Sequence, residues 1–270
     1  MKLNTLSLAL ICLTLLCPLP AAAEKNTPPS TFNPPPSTLH LQPSPLHLKL
    51  RLGYSIGGTT PLGLPASIRS IESFRLTPNF MVGLDGMYRL TETFGLQAAL
   101  HYEIKDMDGE VTTKGYHMKV NMDADELEGL YTGHVRQKVR QRMLTIPLQL
   151  TCELGSKVQL KAGPYLSVLL SKAFTGYAFD GYLRKDDPTG TKIEMGSQEG
   201  EWATYDFSSD MRTCQVGVAV GIDWTFYRQI GLSADLSWGL TGIHHSNFKT
   251  VEQTLYPIYG TIGLFYKIKH

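Results

Sequence analysis

The chain is short of cysteine, of net charge and of long apolar runs. It has four cysteines in 270 residues. Cys12 and Cys17 fall in the apolar N-terminal stretch, which leaves Cys152 and Cys214 and excludes a disulfide framework. Basic and acidic residues number 25 and 24, so the electrostatic footprint of a nucleic-acid partner is missing. Past the N-terminus no segment approaches the roughly 20 apolar residues of a membrane-spanning helix. Metal spacing is lacking too. His101, His117 and His134 are scattered. Asp106, Asp108 and Glu110, with the pairs Asp123/Asp125 and Asp186/Asp187, do not match a calcium loop. Neither a metal nor a cofactor is expected.

What is present begins with MKLNTLSLALICLTLLCPLPAAAEKN. Lys2, the apolar run Leu6 to Leu16 and the small residues Ala21 to Ala23 make a secretory signal peptide over residues 1–23. Cys17 raises a lipoprotein alternative, ranked lower because Leu16 stands where such a signal wants a small residue. Residues 24–46 hold seven of the sixteen prolines, a composition for an extended, disordered lead on the periplasmic side.

From residue 47 onward the chain alternates. In CQVGVAVGIDWTF the even positions, Cys214 to Phe226, are all apolar. The odd positions are Gln215, Gly217, Ala219, Gly221, Asp223 and Thr225. Alternate side chains point to opposite faces of a strand, so one face is wholly apolar and the other small or polar. Seven further segments repeat the pattern, starting near residues 48, 79, 94, 144, 158, 230 and 256. The connections at 91–93, 155–157 and 227–229 are tight, whereas those at about 60–78, 107–138, 173–210 and 242–254 are long. Aromatics collect at both ends of the apolar faces: Tyr88, Phe94, Phe226 and Tyr266 at one, Tyr54, Trp238 and Tyr256 at the other. Together these predict an all-β fold over residues 47–268: an eight-stranded antiparallel transmembrane β-barrel with short periplasmic turns and long external loops. The expected location is the outer membrane of a Gram-negative bacterium, with the N-terminus periplasmic.

In such a barrel the polar face points inward. Lys49, Arg51, Arg89, Lys105 and Lys161 then share the lumen with Asp85, Glu103, Glu153, Asp223 and Asp235. Eight strands leave room for side chains alone, so balanced charges should pair and fill the interior. Phe265 breaks the polar side of the last segment.

Several local motifs add a resemblance. Ile146-Pro147-Leu148, Ala162-Gly163-Pro164-Tyr165-Leu166, Gly217 with Gly221, and the ending Gly260-Thr261-Ile262-Gly263-Leu264-Phe265-Tyr266 resemble the PorT-like outer-membrane β-barrel family over roughly residues 47 to 268. The resemblance implies an eight-stranded barrel without enzyme chemistry; one family member is an accessory of a protein-secretion system.

Four further features follow from the residues. His244-His245-Ser246-Asn247 resembles the catalytic stretch of lipid A deacylases, with His244 as base and Ser246 as nucleophile; Glu252 is the acid that follows. Arg136, Lys138, Arg140 and Arg142 share one parity, as do Asp106, Asp108 and Glu110, so a hairpin would set the two rows opposite each other as a salt-bridged ribbon. Arg140, Arg142, Lys172 and Arg212 form a basic rim suited to lipopolysaccharide phosphates, unless the acidic row neutralises it. Cys152 and Cys214, on segments separated by a third, should be two lipid-facing thiols too far apart to bridge. The reading is a non-enzymatic envelope protein, structural or accessory to secretion or envelope assembly. Its partners are outer-membrane lipid, lipopolysaccharide and envelope or secretion-system proteins, with no nucleic acid. A lipid A deacylase and a small porin are the alternatives.

Overall fold

The computed structural model describes residues 46–63, 65–75, 77–122, 125–185, 188–198, 200–248, 250 and 253–268. The chain divides into two units, 1–41 and 42–270, and the described residues belong to the second. The signal peptide expected at 1–23, all but Leu46 of the proline-rich lead, Asp123, Asp186, Asp187 and Glu252 lie outside them.

Among the described residues all regular structure is strand. The strands are β1 (His47–Pro61), β2 (Ile68–Arg75), β3 (Phe80–Arg89), β4 (Phe94–Ile104), β5 (Met107–Met122) and β6 (Asp125–Leu154). They continue with β7 (Val158–Lys185), β8 (Lys192–Met195), β9 (Ala203–Asp206), β10 (Cys214–Tyr227), β11 (Ile230–Gly239) and β12 (Leu255–Ile268). Antiparallel pairings join β1 to β3, β3 to β4, β4 to β6, β6 to β7, β7 to β10, β10 to β11, β11 to β12, and β12 back to β1. These pairings close a circuit, so no strand in it presents an unpaired edge along the paired length.

Burial follows the alternation and is inverted relative to a water-soluble sheet. On β1, Lys49, Arg51 and Ser55 are buried while Leu50, Leu52 and Ile56 are exposed. On β10, Gln215 and Asp223 are buried while Val216, Val218, Val220, Ile222 and Trp224 are exposed. An apolar outer face of this extent is stable only against an apolar surround.

Three of the long connections contain more sheet than their loop reading allows. β6 and β7 run on past the barrel for 30 and 28 residues in all. About 10 residues suffice to cross a bilayer. Beyond the circuit, β5 pairs with β6, β2 adds to β5, β8 adds to β7, and β9 bridges β5 and β7. The segments 60–78, 107–138 and 173–210 thus hold β2, β5 with the start of β6, the far half of β7, β8 and β9, and are corrected from loops to parts of a folded extension. The break between β4 and β5 is tied by Asn79, whose amide donates to the Asp106 carbonyl at 3.0 Å and whose Oδ1 accepts from the Asp106 N–H at 2.8 Å.

The extension has an ordinary apolar core. Met118, Val120, Tyr131, Val139, Phe174, Leu183, Ala203 and Tyr205 are among its buried residues. Register shifts at Arg142/Met143 and at Thr132/His134, the second opposite Asp180 at φ 49°, change the buried parity of β7 from Leu169 to Phe174 and Ala178 and then to Leu183, while β6 keeps its odd positions buried throughout. Such bulges redirect the side chains of the strand that carries the extra residue.

Candidate functional site: a charge-filled lumen

The lumen is built from five strands of the circuit. β1 supplies Lys49 and Arg51, β3 Asp85, β7 Lys161, β10 Asp223 and β11 Asp235. Arg51 is fully buried, and its guanidinium reaches Asp85 at 2.7 Å, Asp223 at 2.9 Å and Asp235 at 3.2 Å. Lys49 meets Asp223 at 2.9 Å. Lys161 meets Asp223 at 3.0 Å and Asp235 at 2.7 Å. Three cations thus interlock with three carboxylates, and Asp223 receives all three cations. His101 at 2.8 Å and the Gln97 amide at 3.1 Å add to Asp85, while Lys49 also donates to Gln159.

Two satellite pairs flank the centre. Arg89 and Glu153 meet at 2.9 Å beside the short turns, and Lys105 and Glu103 at 2.9 Å toward the long connections. All ten ionisable residues assigned to the lumen from sequence are therefore joined in ion pairs.

The fit depends on absent side chains. A Cβ at Gly221 would lie 2.1 Å from Asp235 Oδ1 and 2.6 Å from Lys161 Cε, so glycine there leaves the space the pair occupies. The same holds for Phe265. Its ring is buried because Gly231 opens a notch for it, and it lies 5.2 Å from Lys49 Nζ and 5.9 Å from Arg51 Cζ. The aromatic on the polar face is a cation–π partner of the central bases. Sequence reasoning missed it because the accommodating glycine sits on a different strand.

The His244 motif has another geometry. His244 is buried against Phe174 at 4.6 Å, edge to face, and stacks on Phe248 at 4.7 Å. Burial lowers its pKa to about 4, and its Nε2 has no hydrogen-bond partner. Ser246 is exposed, and no hydrogen bond among the described residues joins it to His244. A base meant to activate a serine has to reach its hydroxyl. The packing explains His244 as part of an aromatic cluster. Among the described residues no cluster of His, Cys, Asp and Glu could hold a metal ion.

The outer membrane protein beta-barrel domain matches residues 33–245. The chain belongs to that family. No curated protein matches it. Solved structures it is similar to include Ail of Yersinia pestis in complex with the heparin analogue sucrose octasulfate, at 8% identity and TM-score 0.36, covering 83% of this chain and 99% of that one. Neisserial surface protein A is 13% identical at TM-score 0.38, covering 84% and 99%. The outer membrane protease OmpT of Escherichia coli is 13% identical at TM-score 0.33, covering 83% and 93%.

As an outer-membrane β-barrel, the chain turns its apolar outer band toward lipid. Cys152 on β6 and Cys214 on β10 are thiols separated by β7, where they pair with Leu160 and Val168. The basic rim is only partly neutralised. Asp108 lies opposite Lys138 and Glu110 opposite Arg136 in the β5–β6 register, and Arg140 binds Asp108 at 2.6 Å. Lys172 donates to the Met211 carbonyl, and Arg212 to the His244 carbonyl at 2.8 Å. Arg142 is exposed. No carboxylate pairs with Arg142, Lys172 or Arg212 among the described residues.

Proposed function

We propose that this protein is a non-conducting, non-enzymatic outer-membrane barrel that anchors its β extension at the cell surface, structural or accessory to envelope assembly or secretion. One observation carries the reading. Arg51 stands across the lumen bound to three carboxylates from three strands, so the interior is filled where a porin would hold water. The short turns and the N-terminus lie on the periplasmic side in this reading, and the extension faces outward. Arg142, Lys172 and Arg212 would offer the outer leaflet's lipopolysaccharide phosphates three cations that no carboxylate pairs with among the described residues. A lipid A deacylase is disfavoured by the buried, neutral His244.

The test is electrical. Purified protein in a planar bilayer should show no steady open channel. Stable ion-selective conductance would replace this reading with that of a small porin.

A further inference from the structure

The extension holds a cavity of about 440 Å³ between the end of β1, β2, β5, β6 and the start of β12. Its walls include Ile71, Phe74, Met107, Val111, Val135 and Phe207. This volume falls within the usual range of small-molecule sites, roughly 300–1,000 Å³. We propose that it is a binding site for a small, neutral, largely apolar molecule.

Three observations fix that chemistry. First, among the described residues none lining the cavity carries a charged side chain. An ionised carboxylate or amine entering it would lose its hydration with nothing to pair against, which excludes charged ligands. Second, there is a polar handle. Gln137 is part of the lining and half-buried, and its side-chain amide makes no hydrogen bond among the described residues. By contrast Thr113 is engaged with the Gly133 carbonyl at 3.2 Å, and Thr59 with the Met107 sulfur at 3.4 Å through its N–H. A free amide against an apolar wall suits a ligand with one hydroxyl or carbonyl group. Third, there is an entrance. Ile71 and Phe74 belong to the lining yet are 58% and 47% exposed. They sit on β2, which is held to β5 through two register irregularities. Met107 and Met118 line the interior, and unbranched thioether side chains adapt to occupants of differing shape. Left unfilled, the same walls forgo dispersion contacts over their whole inner surface.

The site is independent of whether the lumen conducts. It can be tested with N-phenyl-1-naphthylamine, a neutral fluorescent probe, titrated into the full chain in nanodiscs. Partition into lipid is linear in probe, and a cavity is saturable. Wild type should show one saturable site per chain, as should a Lys157→Ala control in the turn at the opposite end. Val111→Trp fills the cavity and should weaken that site at least tenfold. Ile71→Glu places a charge at the exposed mouth, where folding is not at stake, and should do the same. The anionic relative 1-anilinonaphthalene-8-sulfonate should bind wild type at least tenfold more weakly than the neutral probe. Identical titrations for wild type and Ile71→Glu would overturn the site. Equal or tighter binding of the anionic probe would overturn its neutral character.

Discussion

The two interiors of this molecule are filled by opposite rules. In the barrel, the buried side chains include Lys49, Arg51, Asp85, Lys161 and Asp223, with Phe265 among them, and the exposed ones are mostly leucines, valines and aromatics. In the extension, Met118, Val120, Val139, Phe174 and Leu183 are buried. Yet β6 and β7 belong to both, without interruption. The difference lies in the surround. Against lipid, exposing apolar surface costs nothing and the polar groups must find one another; against water, apolar burial itself drives packing. A chain crossing from one surround to the other has to change what its inward face is made of: on β6 the odd positions stay buried throughout, but they are Gln141, Thr145 and Gln149 in the barrel and Tyr131, Val135 and Val139 in the extension.

Breaking the barrel's interior should have the largest effect. Asp223→Ala leaves three cations short of a partner and should destabilise by about 3–5 kcal/mol. Denaturant titration of barrel closure, read by heat-modified gel migration, checks it. Phe174→Ala in the extension should cost about 3 kcal/mol locally. Limited proteolysis should then cut the extension while barrel migration stays unchanged. If both signals move together, the two regions fold as one unit and the contrast between them is only one of composition.

His244 gives a smaller, pH-dependent effect. Its pKa is about 4 when folded and about 6.5 when unfolded. As pH falls from 6.5 toward 4 the unfolded chain takes up the proton first, so stability is lost across that window. His244→Phe keeps an aromatic ring beside Phe174 and Phe248 and should flatten the acid loss relative to wild type in thermal melts. Smallest is Arg140→Ala. Its pair with Asp108 is partly exposed, and the change should cost under about 1 kcal/mol, fading in high salt.

Legibility in the sequence followed the same divide. A period-two pattern with charge on one parity is visible wherever a strand keeps one register, which is why the inward rows of the barrel could be named from residue types alone. Which bases meet which acids was not visible, because Lys49 and Asp223 are 174 positions apart. The extension was read partly as loop for a physical reason. β2 presents Ile68, Ile71 and Phe74 three apart because its pairing slips twice, so its apolar residues match neither template. The far half of β7 was hidden by two shifts, opposite Arg142 and Met143 and opposite Thr132 and His134, which change its buried parity twice. The ribbon of opposed charges on β5 and β6 was legible, since both rows keep parity up to Arg136.

The central cluster also bears on how the barrel closes. Arg51 and Lys49 come from the first strand, whereas Asp223 and Asp235 come from β10 and β11. Their partners are therefore among the last parts of the chain to be made, and the cluster cannot be complete until β1 has met β12. A closure slipped by one residue would turn Lys49 and Arg51 toward lipid and strand the carboxylates inside. The charges thus act as a key cut for one seam: the ring can lock only where Leu52 faces Leu264 and Tyr54 faces Ile262.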